Sequence, residues 1–416
     1  MGGKISPEIC AYCKGVKKLC GARVCPILLK FDYLKKDIFV VKSTNLQAIS
    51  PPDFLVGEFS YPNVNLGPIS SPNVEDKDEV LIENLIRRGK YDLIDILKIR
   101  LNFLYSYNKA NVNVARKPTY PPEPIKELAI SIKPLETELE LLKYPKPRIS
   151  LDADIPPIGL RAPLRKLEVV DNAYAPRKLE EAIYEDEKST ILLFELYSHG
   201  ISNYHLMRLL SLGLLGKKHN KKLVPTRWAI TATDSVLGNW FLRNVKKAPS
   251  FSKSAVYYHR HLGNEYYIWI IPSDYWAFEM FEIWMPMSVW VRRPGKPVLI
   301  HVYESYNGKP NKMDGGYYAI RFSVLEALQR WRRKGKVIAF RIITPEYFAG
   351  VGSWQIREGV RIALTKKPLL HGDFEEVSLK IFRLIREKTG LDLENKSKVI
   401  KMVKEVKLLD FIDSYS

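Results

Sequence analysis

Apolar residues along the chain recur with two different periods, and the changes of period divide it into strands and helices. Near the N-terminus the runs are short: Asp37-Ile-Phe-Val-Val-Lys42 predicts a strand, and Phe54–Pro68 (FLVGEFSYPNVNLGP) alternates apolar residues with turn formers. From Asp78 the spacing becomes helical. Leu81, Leu85 and Ile86, then Ile94, Leu97, Leu101 and Leu104, recur around a break at Gly89. Residues 117–165 are rich in proline and mixed charge, which predicts a surface wrap or link interrupted by a helix near 125–143. Pro176 opens a further helix. Leu192–Leu215 is apolar and helical, divided at Gly200, restarted by the N-cap candidate Ser202 and closed by Gly213 and Gly216.

The second half of the chain repeats the alternation. Lys217–Asp234 is a basic cluster that enters a Thr-Arg-Trp turn and then a β-prone run. Val256–His261 and Tyr266–Ile271 predict a hairpin with Gly263-Asn264 at its tip. Val298–Tyr303 and Val337–Ile343 read as strands. Between them, Ser323-x-x-Glu326 reads as a capping box for a helix that ends in Arg330–Lys336. Ser353 starts one further helix, and Val377–Lys388 is an amphipathic helix closed by Gly390. These elements predict an α+β fold, with mixed or antiparallel sheet and surrounding helices, a small N-terminal four-cysteine zinc module and a C-terminal tail. The expected segments are 1–30 for the cysteine module, 31–290 and 291–395 for two α+β domains, and 396–416 for the basic tail.

Composition and charge add a partner class. A chain of 416 residues, 46% of them hydrophobic, has material for the cores of two or three domains. Lys plus Arg number 65 against 46 Asp plus Glu, a formal charge of +19. That surplus favours a polyanion, nucleic acid before an anionic membrane, although a lysine-rich proteome from a hot environment would produce the same excess. No apolar run is long enough to cross a bilayer and the N-terminus has no signal-peptide core, so a soluble, cytoplasmic protein without a membrane partner is expected. The clusters that would face phosphate are Lys217, Lys218, Lys221 and Lys222, with Arg227 as a fork donor, and Arg332 with Arg333.

All four cysteines fall between Cys10 and Cys25, with the spacing C-x2-C-x6-C-x4-C. A pair of thiolates two residues apart grips one cation from a tight knuckle, and a second pair returns from the other side. Four thiolates suit tetrahedral Zn²⁺ and leave no open position, which makes the site structural. An iron–sulfur cluster or ordinary thiols and disulfides are the alternatives. Lys14, Lys17, Lys18 and Arg23 stand ready to offset a site charge of about −2. At the other terminus Leu408, Phe411 and Ile412 are spaced i, i+3 and i+4, so one helical turn presents an apolar plug. The alternative is a terminal helix that packs on its own domain.

Four stretches together resemble the archaeal Nre family of DNA-repair proteins: Cys10–Leu28, Phe54–Pro68, Lys222–Thr231 (KLVPTRWAIT) and Gly352–Arg361 (GSWQIREGVR). The resemblance implies a zinc-finger N-terminus, a role in repairing damaged DNA and a C-terminal peptide that binds the ring-shaped sliding clamp. In that peptide Glu405, Leu408, Phe411 and Ile412 occupy positions one, four, seven and eight, with Glu405 in place of glutamine and Ile412 in place of an aromatic residue. Two classes of function then compete. One is an adaptor that binds damaged or single-stranded DNA and docks on the clamp. The other is a metal-dependent nuclease, or other phosphodiesterase, holding Mg²⁺ or Mn²⁺ on carboxylates drawn from Asp234, Asp274, Glu279, Glu282, Glu304 and Asp314, with His199 and His205 nearby in sequence. No P-loop, dinucleotide fingerprint or catalytic-cysteine pattern is present. Acidic residues converging in a basic cleft would favour the enzyme, and an acid-free basic groove the adaptor.

Overall fold

The computed structural model describes residues 6–15, 17–22, 25–29, 31–38, 40–72, 77–81, 91–312 and 314–413, without the side chains of 32, 33, 37, 78, 79 and 406–413. The chain divides into two compact units, Leu28–Leu237 and Met1–Ile27 together with Gly238–Ser416. Each is α+β around one mixed sheet. By contacts, the break falls at 27/28 and 237/238. Strands on either side of residue 290 pair directly with each other, which makes them one sheet.

The Leu28–Leu237 unit holds β1 (Asn45–Ser50), β2 (Phe54–Val56), β3 (Asn63–Ser70), β4 (Leu104–Asn111), β5 (Leu135–Leu141), β6 (Lys146–Ser150) and β7 (Ile158–Val169). Their order is β1-β5-β7-β4-β3-β2, with β6 added on β7, and the β4–β7 pair is parallel. The alternation that builds such a sheet is plain in β5, where Leu-Glu-Thr-Glu-Leu-Glu-Leu buries Leu135, Thr137, Leu139 and Leu141 on one face. The proline-rich stretch was expected to wrap a surface; instead it supplies β5, β6 and most of β7, because Pro134, Pro145, Pro156 and Pro157 fall just outside the strands and Pro147 at the irregularity in β6, while β5 keeps period two. Its expected helix 125–143 is cut to Glu123–Ile130. The expected strand Asp37–Lys42 is also absent: Asp32–Asp37 is a 3₁₀ turn, and among the described residues the first strand starts at Asn45. Leu85 and Ile86 lie outside the described residues, whereas α1 (Leu93–Leu101) follows the predicted spacing behind an Asp92/Asp95 capping box.

Helices α2 (Glu123–Ile130), α3 (Arg177–Ala182), α4 (Ser189–Ser198) and α5 (Asn203–Ser211) follow, the last capped by Ser202 as the sequence predicts. The run after Lys222 departs from its β-prone reading. It forms α6 (Thr226–Val245), opened by the Pro225 carbonyl, which accepts from Trp228 and Ala229 N–H. Proline at a helix start sets φ in advance, and this outweighs the mild penalty of Thr231 and Thr233.

The other unit carries β8 (Ser254–His261), β9 (Asn264–Ile271), β10 (Phe278–Trp284), β11 (Val298–Glu304), β12 (Lys336–Ile343) and β13 (Leu370–Gly372), in the order β11-β10-β12-β9-β8-β13. The β8–β9 hairpin turns on Leu262-Gly263, both at positive φ, one residue earlier than expected. A Cβ on Gly263 would meet Tyr347 N at 2.4 Å, so the position is confined to glycine. α7 (Gly315–Trp331) starts at Asp314, whose carboxylate accepts from Gly316 and Tyr317 N–H. Ser323 therefore sits buried inside the helix, bonded to the Ala319 carbonyl, and is not a cap. α7 and α8 (Trp354–Ala363) lie on one face of the sheet, where Tyr317 meets Phe278 and Tyr266 lies against Gly359. α9 (Phe374–Thr389) and α10 (Lys398–Asp413) cover the other. There Val377, Ile381 and Ile385 pack with Trp269, Phe281 and Phe340, and Val399, Ile400 and Val403 complete the core. With both faces covered, β9, β10 and β12 are buried throughout. Among the described residues no helix is long and apolar enough to cross a membrane.

Candidate nucleic-acid interface

The cysteine module begins as a short helix, Pro7–Cys13, capped by Ser6 and ended by Lys14 in the left-handed region. All four cysteines are free of disulfides. Burial raises the Cys10 thiol, and the charges of Cys25, Cys13 and Cys20 push it the same way, so each of the other three acts on it. Among the described residues no three His, Cys, Asp or Glu side chains are arranged to hold a metal ion. Four thiols are the donor type that a structural zinc site uses.

Lys14 does something its sequence position did not reveal. Its side chain is largely buried, and Nζ lies 2.8 Å from Glu282 Oε1 and 2.9 Å from Asp314 Oδ2. Arg341 Nη1 donates to the other Glu282 oxygen at 2.6 Å, and Trp284 Nε1 donates to Oε1 at 2.8 Å. Two cations and two carboxylates thus balance, and a Cβ on Gly316 would meet Glu282 Oε2 at 2.7 Å.

The other acidic candidates do not join them. Glu304 accepts from Trp276 Nε1 (2.8 Å), Arg321 Nε (2.5 Å) and the Tyr317 hydroxyl. Glu279, three residues before Glu282 and so on the opposite face of β10, accepts from Ser397 Oγ, His301 Nε2 and Lys398 N–H. It caps α10. Asp274 is exposed beside Lys334, and Asp234 is buried on α6. His199 is exposed with Nδ1 at the Glu195 carbonyl. His205 is buried, and burial pushes its pKa down to about 3, which keeps it neutral.

The two basic clusters belong to different units. Lys218 and Lys222 are exposed on the 3₁₀ turn Lys218–Asn220 and the extended segment after it; Lys217 is half-buried, and Lys221 Nζ donates to the Ile183 carbonyl at 2.7 Å. Arg332 and Arg333 are exposed at the end of α7, with Arg332 at φ 53°. Arg227 is already engaged: Nη2 lies 2.5 Å from Asp152, with Asp154 and Glu58 each 3.5 Å away. Burial opposes its charge, but those three carboxylates outweigh it and raise the pKa. Beside it Trp228 points outward and meets Tyr61, ring centroids 5.5 Å apart. Phe59, Tyr61 and Trp228 are 70%, 46% and 49% exposed. Sequence reading took Trp228 with the basic cluster but did not single out Phe59 and Tyr61, although aromatic residues beside Ser60, Pro62 and Asn63 in a polar loop were a signal. At the C-terminus Glu405 is exposed on α10, and the side chains of Leu408, Phe411 and Ile412 lie outside the described residues.

The aromatic loop and the start of α6 fall in two of the stretches that carry the resemblance. The chain matches the family model described as archaeal Nre, N-terminal, over residues 19–291 and that described as archaeal Nre, C-terminal, over 303–411. It belongs to the archaeal Nre family. Among Nre relatives, the DNA repair protein NreA of Archaeoglobus fulgidus is 32% identical over 383 residues, covering 91% of this chain and 94% of that one. The DNA repair protein NreB of the same organism is 28% identical, covering 97% and 100%. The DNA repair protein NreA of Haloferax volcanii is 32% identical, covering 78% and 79%. No solved structure matches this Nre chain.

Proposed function

We propose that this Nre chain acts in DNA repair as a DNA-binding adaptor. It would contact phosphates through Lys217, Lys218, Lys221 and Lys222 and through Arg332 and Arg333, and dock on the sliding clamp through Glu405, Leu408, Phe411 and Ile412. Arg227 would serve from beneath, holding Glu58, Asp152 and Asp154 together. The names of the relatives support the repair role. The observation that favours an adaptor over a nuclease is the placement of the carboxylates: Glu279, Glu282, Glu304 and Asp314 are each buried against cations or N–H donors on both faces of one sheet.

Cys10, Cys13, Cys20 and Cys25 would hold Zn²⁺, whose contribution is a crosslink within the module. The DNA-binding reading is tested by titrating the full chain with labelled DNA at several salt concentrations. Affinity should fall steeply between roughly 50 and 200 mM, with a slope that shrinks by about 0.7–0.9 for each phosphate contact removed by Lys→Gln changes. Binding indifferent to salt, or unchanged after neutralising both clusters, would refute it.

A further inference from the structure

We infer that Tyr61, Trp228 and Phe59 form a platform on which an unpaired base of single-stranded DNA stacks. This rests on the DNA-binding reading and sharpens it, because phosphate contacts alone do not distinguish duplex from single strand. Large aromatic side chains exposed together are uncommon on a surface that has no partner. Here they come from the loop between β2 and β3 and from the first turn of one helix. Tyr61 and Trp228 are tilted by 41° to each other and both about half exposed, so neither ring is covered by its neighbour.

The platform is held from below. Thr226 Oγ1 accepts from Val56 N–H at 2.9 Å, which fixes the start of α6 to β2. Arg227 ties the same turn to Glu58 in the loop and to Asp152 and Asp154. Ser60, between Phe59 and Tyr61, adopts φ 67°, a left-handed conformation that a serine holds only when its surroundings impose it. Rings presented this way lose little freedom on binding, which is what a stacking site requires.

The rim identifies the occupant. The Pro62 carbonyl accepts from Val112 N–H at 2.9 Å, and the Val112 carbonyl accepts from Leu223 N–H at 2.9 Å. Leu223, the residue after Lys222, is therefore two hydrogen bonds from the aromatic loop. Arg116, on the 3₁₀ turn that starts at Val112, donates through Nε to the Lys221 carbonyl. Lys109 sits on β4 opposite Asn65, two residues from the Asn63–Asn111 pair. Lys109, Arg116 and Lys222 are all exposed, and none forms a salt bridge among the described residues. Exposed cations around half-exposed rings match a backbone of phosphates carrying unpaired bases, the combination used by single-strand binders.

The test measures the full chain against a labelled single-stranded oligonucleotide, the matching duplex and the matching RNA strand. Trp228→Ala and Tyr61→Ala should each weaken single-stranded DNA binding about tenfold or more, as expected for one stacked base, and leave duplex affinity within about twofold. Trp228→Phe should retain most of it, and thermal melts should confirm that these surface changes leave the fold intact. Equal losses on single strand and duplex, no loss on either, or a loss confined to RNA would overturn the inference. If lysine variants weaken binding while the aromatic variants do not, this inference falls alone and the platform faces a protein. If the unaltered chain binds no nucleic acid, the DNA-binding reading falls with it.

Discussion

Replacing Lys14 with methionine removes one cation from a buried network and keeps almost the same shape, including the same left-handed backbone position. Lys14 lies 2.8 Å from Glu282 and 2.9 Å from Asp314, whose side chains are 0% and 4% exposed. At an effective dielectric near 20, each contact has a Coulomb energy of about 6 kcal/mol. Dehydrating the ammonium offsets several kcal/mol of this, and breaking such a pair from one side costs about 3–5 kcal/mol. Glu282 would keep Arg341 and Trp284, so the uncompensated charge falls on Asp314. Burial tends to raise the Asp314 carboxyl, but Lys14 and the N–H groups of Gly316 and Tyr317 outweigh it and hold the pKa below the ordinary value. In the native chain this group adds stability above about pH 4, lost as the pH falls through its folded pKa. Without Lys14, burial would prevail and the folded pKa would rise above the unfolded one. The folded variant would then bind more protons than its unfolded state, and its deficit should shrink between pH 7 and pH 5. Urea unfolding followed by far-ultraviolet circular dichroism at both values measures this. Lys14→Met with Asp314→Asn, which keeps a capping oxygen, should recover part of the loss. A deficit below about 1 kcal/mol would place Lys14 with surface ion pairs, and one independent of pH would show that Asp314 is not the group left unpaired.

Two further outcomes are expected from the termini. Elemental analysis should find about one zinc per chain, and changing any one of Cys10, Cys13, Cys20 or Cys25 to serine should remove it; metal-free purified protein would refute the site. Phe411→Ala should weaken clamp binding from a micromolar affinity by about 2 kcal/mol and leave zinc content and DNA binding unchanged, whereas identical titrations of native and truncated chains would refute the docking.

Much of the fold was legible because period and punctuation agree over long stretches. β8, β9, β11, β12, α5 and α9 all lie where alternation, caps and closing glycines predict them. Failures occurred where one local signal stood against several tertiary ones. Asp37–Lys42 is apolar enough for a strand, but among the described residues no neighbouring strand pairs with it. Ser323 and Glu326 match a capping box in spacing, yet Asp314 before two glycines is the stronger start because its carboxylate also meets Lys14. Sequence can show that Lys14 lies between two cysteines. It cannot show that a glutamate far along the chain waits for it, because that contact depends on the whole sheet being in place. Likewise Arg227 reads as a phosphate donor until Asp152, Asp154 and Glu58 are brought to it from other segments.

The same distances in sequence explain why no catalytic signature was visible among the carboxylates. Glu282 joins β10 to the cysteine helix through Lys14, and Glu279 joins β10 to the start of α10 through Ser397 and Lys398. Glu304 joins β11 to α7 through Arg321. Apolar residues of equal volume would stabilise these junctions about as well, since burying an ion pair roughly balances its attraction against lost hydration. An apolar junction accepts many partners and offsets; a buried glutamate leaves a costly unpaired charge unless one cation or one helix start arrives in register. Each of the three carboxylates ties its strand to one distant segment. All three are closed off by the contacts that give them this structural role. In this chain the three glutamates are part of the packing that fixes β10, β11, α7 and α10 to one another.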